Sequence, residues 1–282
     1  MSIKITEQSY GKARVCLSYI KRNENRHDFV QLTANVALAG DFNVAYSAGD
    51  NSPVIPTDTM KNTVYAIARK QGVDSIEAFA RNLASHFYDS FEHVSTATIS
   101  IEESLWNRIE IDSNKHDHAF VGGGSEQNTC TATASAEGVQ LSSGLKGLQV
   151  LKTTQSGFEG FLQDDFTTLK PTDDRIFATT ITADWTCQKP EGDWSKTRTK
   201  IRQMLLDVFA TQYSPSVQKT LYEMADAVLA ACPEIGQISL NMPNQHHLLA
   251  DIEKLSLQNE NDIFVPTPEP FGVISATISR EV

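Results

Sequence analysis

Long apolar runs are missing from this chain: no stretch approaches the ~20 consecutive apolar residues that a membrane-spanning helix needs, so it reads as a soluble protein. An excess of positive charge is missing too. With 24 Lys and Arg against 35 Asp and Glu, the net charge of -11 argues against a non-specific hold on nucleic acid or on an anionic membrane. A small anionic ligand would need local positive partners. Cysteine is scarce: Cys16, Cys130, Cys187 and Cys232 lie far apart, form no CxxC pair and follow no secretory signal, so free thiols in a reducing compartment are expected. The final residues, Ser279-Arg280-Glu281-Val282, are not a Ser-Lys-Leu type address, and a cytoplasmic location is the expectation. A glycine-rich phosphate loop is also lacking. Gly122-Gly123-Gly124 has no Lys-Ser/Thr after it and is expected to be a mobile turn.

What is present is enough for a full core: 282 residues, 31.1 kDa and 40% hydrophobic residues suffice for two modest domains. Residues 13–20 and 30–38 alternate with a period of two, as the arms of a hairpin do. Helical spacing follows over 60–71 and 75–87, the second helix with Asp74 and Glu77 placed three apart as a capping arrangement needs. The strand period returns at 94–101 and 128–134. The same order then recurs: strands at 148–153 and 176–187, helices at 195–211 and 216–231 with Pro215 placed to begin the second, strands at 237–241 and 272–279. Pro266-Thr267-Pro268-Glu269-Pro270 is expected to be a rigid connector before the last strand. The repeated order predicts an α+β chain of two related halves, 1–139 and 140–282, each covering one sheet face with a helix pair. Neither parity of the strand at 176–187 is purely polar, so a second layer or a neighbouring subunit is expected on both sides.

The run from Val54 to Thr63 delivers hydroxyls and a carboxylate to a helix start. Pro56 restricts its predecessor, and Thr57, Asp58 or Thr59 can cap the helix or hold a ligand at its open N–H groups. Lys12 follows Gly11 at the start of a strand. It is either a solvated surface cation or, if burial lowered its pKa, a neutral amine able to take a proton from a threonine such as Thr57. Arg175 and Gln218 offer a guanidinium fork and an amide for the edges of a flat, oxygen-rich heterocycle, and Phe158 offers a cover for its face. A paired arginine, a helix-surface glutamine and a core aromatic are the plainer alternatives. Asn244 and His246 share a face in an extended chain and could address one water or one reacting atom. His116 and His118 share parity as well, which leaves a metal site with His246 or His247 as the alternative to simple hydrogen bonding.

Several separated motifs stand in an order that resembles cofactor-free urate oxidase (uricase) along nearly the whole chain. They include Tyr10-Gly11-Lys12, Gly40-Asp41-Phe42, Ala48-Gly49-Asp50-Asn51, Thr57-Asp58-Thr59, His116-Asp117-His118-Ala119-Phe120, Leu148-Gln149-Val150-Leu151-Lys152-Thr153-Thr154, Asp174-Arg175-Ile176, Tyr213-Ser214-Pro215-Ser216-Val217-Gln218 and Asn244-Gln245-His246-His247. The resemblance implies two tandem tunnelling-fold units, antiparallel sheets with helices on the outer face, that assemble into a barrel-like tunnel. It also implies a homotetramer with sites between subunits. It assigns Lys12 and Thr57 to a catalytic dyad and His246 to the proton path. Asn244 would hold oxygen or water, Phe158 would stack under the purine, Arg175 and Gln218 would grip its edge, and backbone groups at Asp58 and Val217 would complete the fit. The implied reaction, a step of purine metabolism, oxidises urate with O2 and water to 5-hydroxyisourate and hydrogen peroxide without a metal or flavin cofactor. Gln245, where the family often has Lys, and Glu159 beside Phe158 are departures. The rival readings are a zinc-dependent pterin or purine enzyme of the same architecture and a non-catalytic ring scaffold.

Overall fold

The computed structural model describes residues 3–281, and Val282 of the C-terminal sequence lies outside the described residues. Two compact units are present, Met1–Gly144 with Thr186–Ser195, and Leu145–Trp185 with Lys196–Val282. In the first, β1 (Tyr10–Arg22), β2 (His27–Gly40), β3 (Val94–Ile111) and β4 (Asn114–Ser135) pair in that order, each antiparallel to the next. Alternation explains the pairing: β2 buries Leu32, Ala34, Val36 and Leu38, while the residues between them stay partly exposed. A short α1 (Asn43–Ser47), which no periodicity announced, follows β2.

The longer helices, α2 (Thr57–Gln71) and α3 (Ile76–Ser90), cover the apolar face of this sheet. Helical spacing places Met60, Val64, Ile67 and Ala68 on the buried side of α2, which packs on β1, and Ile76, Phe79, Leu83 and Phe87 on that of α3, which packs on β3 and β4. Full burial of each such large side chain contributes about 1.5–3 kcal/mol. The cap of α3 differs from expectation. Ser75, in extended backbone, accepts from Ala78 N at 3.1 Å; Asp74 instead pairs with Lys21 at 3.0 Å, and Glu77 is buried and accepts from Ser143 Oγ at 2.5 Å.

Gly122-Gly123-Gly124 is part of β4 and not a mobile turn. Gly122 pairs with Trp106 beside a register shift, Gly124 has φ +89°, and a Cβ on Gly123 would lie 2.7 Å from Leu105 Cβ. Gly123, by its close approach to Leu105, and Gly124, by its positive φ, are the two that the bulge constrains.

The second unit takes in most of β5 (Gly138–Lys152) and β6 (Phe177–Cys187) and nearly all of α4 (Trp194–Thr211). It continues through α5 (Val217–Ala231), β7 (Ile235–Asn241), β8 (Asn244–Leu249), β9 (Phe264–Gly272) and β10 (Ser275–Ser279), with one 3-10 turn at Glu253–Leu255. β6 neighbours β7, β7 pairs antiparallel with β10, and α5 packs on both β7 and β10. Phe177, Thr179, Ile181, Ala183 and Trp185 of β6 are all buried, while Thr182 and Asp184 on the other face are not. Within the chain, therefore, one parity is covered. The expected proline connector is instead β9, whose Pro266 and Thr267 pair with His247 and His246 of β8. β9 bonds to β8 alone, and an edge strand of that kind tolerates residues without an N–H.

Candidate active site

In the first unit the chemistry gathers where β1 meets the start of α2. A Cβ on Gly11 would stand 1.8 Å from Val36 O, so glycine lets β1 press against β2 at this point. Lys12 pairs with Val36, and a bulge follows at once, with a register shift before Val15 and φ 57° at Arg14. The side chain of Lys12 is partly exposed, and among the described residues it makes no hydrogen bond to Thr57. The helix start also differs from expectation. Pro56 occupies the N-cap, its carbonyl accepts from Met60 N at 3.1 Å, and neither Thr57, Asp58 nor Thr59 supplies a side-chain cap.

The first turn of α2 is consequently open, and its N–H groups face outward with the exposed hydroxyl of Thr57. Asp58 turns its carboxylate back along the helix, to Lys61 Nζ at 2.5 Å and Asn62 Nδ2 at 3.0 Å. The Lys61 bond holds the Asp58 pKa below the usual carboxylate value, and the charge of Lys12 lowers it further, which places Lys12 in the same field as the helix start.

One residue the sequence reading left without a role is Tyr10. Its hydroxyl accepts from Ile55 N at 2.8 Å and donates to Ile55 O at 3.2 Å.

In the second unit three loop segments are laced by backbone bonds. Gly157 N donates to Ser214 O at 2.9 Å, Ser214 N to Gln155 O at 2.9 Å, and Arg175 N to Ser156 O at 2.8 Å. Phe158 and Thr172 exchange bonds of 2.6 and 3.1 Å, and Tyr213 Oη donates to Asp173 O at 3.1 Å. A Cβ on Gly157 would lie 2.3 Å from Tyr213 Oη and 3.0 Å from Thr172 O, so a larger residue would push the Tyr213 hydroxyl off Asp173 O. The lacing presents Phe158 and Arg175 to a cavity of about 170 Å³ whose opposite wall is Asn244-Gln245-His246-His247-Leu248 of β8.

The guanidinium of Arg175 sits 5.4 Å from the Phe158 ring centre, and Phe161 stacks on Phe158 with centroids 4.9 Å apart and planes 8° from parallel. Burial pushes the Arg175 pKa down, and among the described residues neither its Nε nor His247 Nδ1 has a hydrogen-bond partner. A cationic fork held against an aromatic face with an unspent donor is equipped for a planar anion. Gln245, the departure noted above, donates to Thr180 Oγ1 at 3.1 Å.

The structure thus brings Phe158, Arg175, Asn244 and His246 to one cavity, and Lys12, Thr57 and Asp58 to one helix start. Val217 and Gln218 begin α5 behind the Ser216 cap, which accepts from Lys219 N at 3.2 Å. They share the laced loop but do not line the cavity, and the Val217 side chain is buried. His116 and His118 meet edge to face with centroids 4.5 Å apart and planes at 78°, near His27, yet among the described residues no three His, Cys, Asp or Glu side chains converge as a metal would need. A larger hollow of about 410 Å³ beside Thr131, Gln140 and Cys187 differs from the arginine cavity in having no charged residue in its wall.

Antiparallel sheets backed by helices, with an uncapped helix start in one unit and a cationic, aromatic cavity in the other, define the α+β class of this chain. Comparison with known proteins gives the family. The uricase family model matches residues 8–133 and 141–275. The uricase of Arthrobacter globiformis is 40% identical over 99% of this chain and 91% of its own length, and that of Danio rerio is 38% identical over 99% and 96%. The crystal structure of uricase from Arthrobacter globiformis superposes with a TM-score of 0.95 at 40% identity, covering 100% of this chain and 96% of that one. A uricase structure from Bacillus fastidious, at 22% identity and TM-score 0.85, shares the fold. The chain belongs to the uricase family, and its fold is the α+β tunnelling fold of that family.

Proposed function

We propose that the protein is a urate oxidase that converts urate, O2 and water to 5-hydroxyisourate and hydrogen peroxide. The observation that carries the reading is the Arg175 guanidinium, short of a hydrogen-bond partner and set against Phe158 in the cavity that Asn244 and His246 line. Arg175 and Gln218 hold the oxygen-rich edge of the purine, Phe158 covers its face, and backbone groups at Asp58 and Val217 fix its rotation. Thr57 relays a proton from the purine toward Lys12, and His246 belongs to the same proton path. The purine anion gives two electrons to O2, water adds to its ring carbon, and the reduced oxygen leaves as peroxide with two protons. Asn244 holds the oxygen molecule or the water that adds later. The protein's share is alignment and electrostatic support of the electron-rich anion, which needs neither metal nor flavin.

The competent form in this proposal is a cytoplasmic homotetramer whose subunits build the tunnel and share each site. Support comes from the separation of Lys12 and Thr57, which lie in one unit, from Phe158, Arg175, Asn244 and His246, which lie in the other. The test follows urate absorbance and peroxide release together in purified protein. Coupled loss of urate and gain of peroxide is expected, and absence of both overturns the proposal. Elemental analysis and chelation accompany the assay: stoichiometric zinc, with activity lost on its removal, would favour the zinc-dependent alternative.

A further inference from the structure

Tyr10 belongs to the Tyr10-Gly11-Lys12 motif yet has no part in the chemistry above. Its single hydroxyl occupies both backbone polar groups of Ile55, accepting from the N–H at 2.8 Å and donating to the carbonyl at 3.2 Å. The positions of the partners give this clamp its meaning. Tyr10 stands two residues before Lys12 on β1, and Ile55 stands two residues before Thr57 on the approach to α2. The bond pair therefore ties together, at equal offsets, the two segments that carry the proposed proton pair.

Both arms of this brace are stiff. On one side Gly11 is pressed against the Val36 backbone, where a Cβ would lie 1.8 Å from its carbonyl oxygen. On the other, Pro56 fixes φ at -56° between Ile55 and Thr57. The Tyr10 ring is seated edge-on against Phe42, with centroids 4.8 Å apart at 84°, and Phe42 is itself buried. Burial raises the Tyr10 pKa from its usual 10.0, so the hydroxyl stays protonated and able to donate under physiological conditions. The first turn of α2 has no side-chain cap, so no such bond inside the helix duplicates the brace.

We propose that Tyr10 is a positioning residue: through Ile55 and Pro56 it fixes the hydroxyl of Thr57 relative to Lys12, and so sets the rate of proton transfer and not the affinity for urate. The inference rests on the reading of Lys12 and Thr57 as the proton pair. Its expected size follows from geometry, because a misplacement of about 1 Å in a reacting group can cost up to ~10²-fold in rate.

The test is Tyr10→Phe, which keeps the ring against Phe42 and removes both hydrogen bonds. Turnover is normalised to sites titrated with a tight-binding, non-reactive purine, so that partial unfolding does not register as lost rate. The expected result is a fall in kcat of roughly 10-fold or more with KM within about 2-fold. In a Thr57→Ala background the same change should cost little, because the step it serves is already lost. Phe42→Leu, which loosens the seat of the ring and spares the hydroxyl, should lower thermal stability more and kcat less. Three outcomes overturn the inference while leaving the proton pair in place: unchanged kcat in Y10F beside an impaired T57A, a loss confined to KM, or full additivity of Y10F and T57A. If T57A turns over like the parent enzyme, the proton-pair reading itself has failed and the role of Tyr10 falls with it.

Discussion

Replacing Arg175 with alanine separates a ligand-holding arginine from a structural one, because the two roles predict opposite pairs of results. In the structure its backbone N–H is bonded to Ser156 O, which survives the substitution, and its Nε has no partner among the described residues. What the fold loses is a contact with the Phe158 face, about 0.5–1 kcal/mol at a partly exposed site. What it gains is relief from a desolvated charge. These offset each other, so R175A should move Tm by no more than roughly 2–4 °C. Binding should respond differently. A charged hydrogen bond is worth about 1.5–3 kcal/mol, and a fork that makes two to the purine edge makes a loss near 3 kcal/mol reasonable, or about 150-fold in Kd. The assay is urate binding by calorimetry under strictly oxygen-free conditions, with thermal unfolding of the same samples. Arg175→Lys should recover only part of the affinity, since a point charge cannot reproduce the fork. A variant that binds urate as tightly as the parent, or that melts many degrees lower with unchanged affinity, would refute the assignment.

Lys12→Met and Thr57→Ala should each suppress turnover more than urate binding, and their double mutant should be strongly non-additive; full additivity in the chemical step, with all variants assembled, counts against a direct dyad. Mixed oligomers of inactive K12M and inactive R175A subunits, formed by controlled dissociation and reassembly, should regain urate oxidation through sites that draw one intact set from each chain. No regained activity despite verified mixing would sink site sharing between subunits. Asp184 of β6 keeps an exposed side chain, yet partial desolvation by its surroundings raises its carboxyl pKa above 3.8, so its contribution, small because solvent screens it, favours the fold below that pH and becomes a cost as pH rises through the folded value. Asp184→Asn should therefore raise Tm at pH 7 and lose that advantage near pH 3. A mutant that melts lower than the parent at pH 7 would show that the carboxylate has a stabilising partner.

Much of the fold was legible because strong periodicity marks half-buried elements. The alternation through Leu32, Ala34, Val36 and Leu38 and the helical spacing of Met60, Val64, Ile67 and Ala68 each identify a buried face without tertiary information. What escaped was local chemistry read without its neighbours. Three glycines in a row have the composition of a turn, and only the approach of Leu105 shows them to be a bulge within β4. Three prolines within five residues read as a connector, but β9 needs to satisfy only one partner, and its prolines fit an edge. The candidate site followed the same division. Arg175, Phe158, Asn244 and His246 were named from motifs, and the fold brings them to one cavity. The roles of Phe161 and Tyr10 and the lacing by Ser156, Ser214 and Tyr213 were not legible, although Tyr10, Tyr213 and Ser214 stand in those motifs, because a hydrogen bond between residues 45, 57 or 59 positions apart leaves no mark on either segment alone.

The repeated element order makes the two helix starts, α2 and α5, comparable, and their difference explains how one architecture can supply two kinds of function. Ahead of α5 the sequence places Ser216, whose hydroxyl satisfies Lys219 N, and the preceding Tyr213-Ser214 is bonded to Gln155, Gly157 and Asp173. Part of that start is spent on structure: the Ser216 cap and the Tyr213-Ser214 bonds hold the loop that presents Phe158 and Arg175. Ahead of α2 stands Pro56, which has no N–H and no capping group, so the first-turn donors and the Thr57 hydroxyl remain available to a ligand. A start left open in this way loses the ~1 kcal/mol that a serine or aspartate cap supplies. The Tyr10–Ile55 bonds hold the approach from outside the helix and offset that loss without occupying its donors. In the proposed reaction the Thr57 hydroxyl needs both rigidity and unspent hydrogen-bonding capacity around it, and a brace in β1 supplies the first without a cap in α2 that would remove the second.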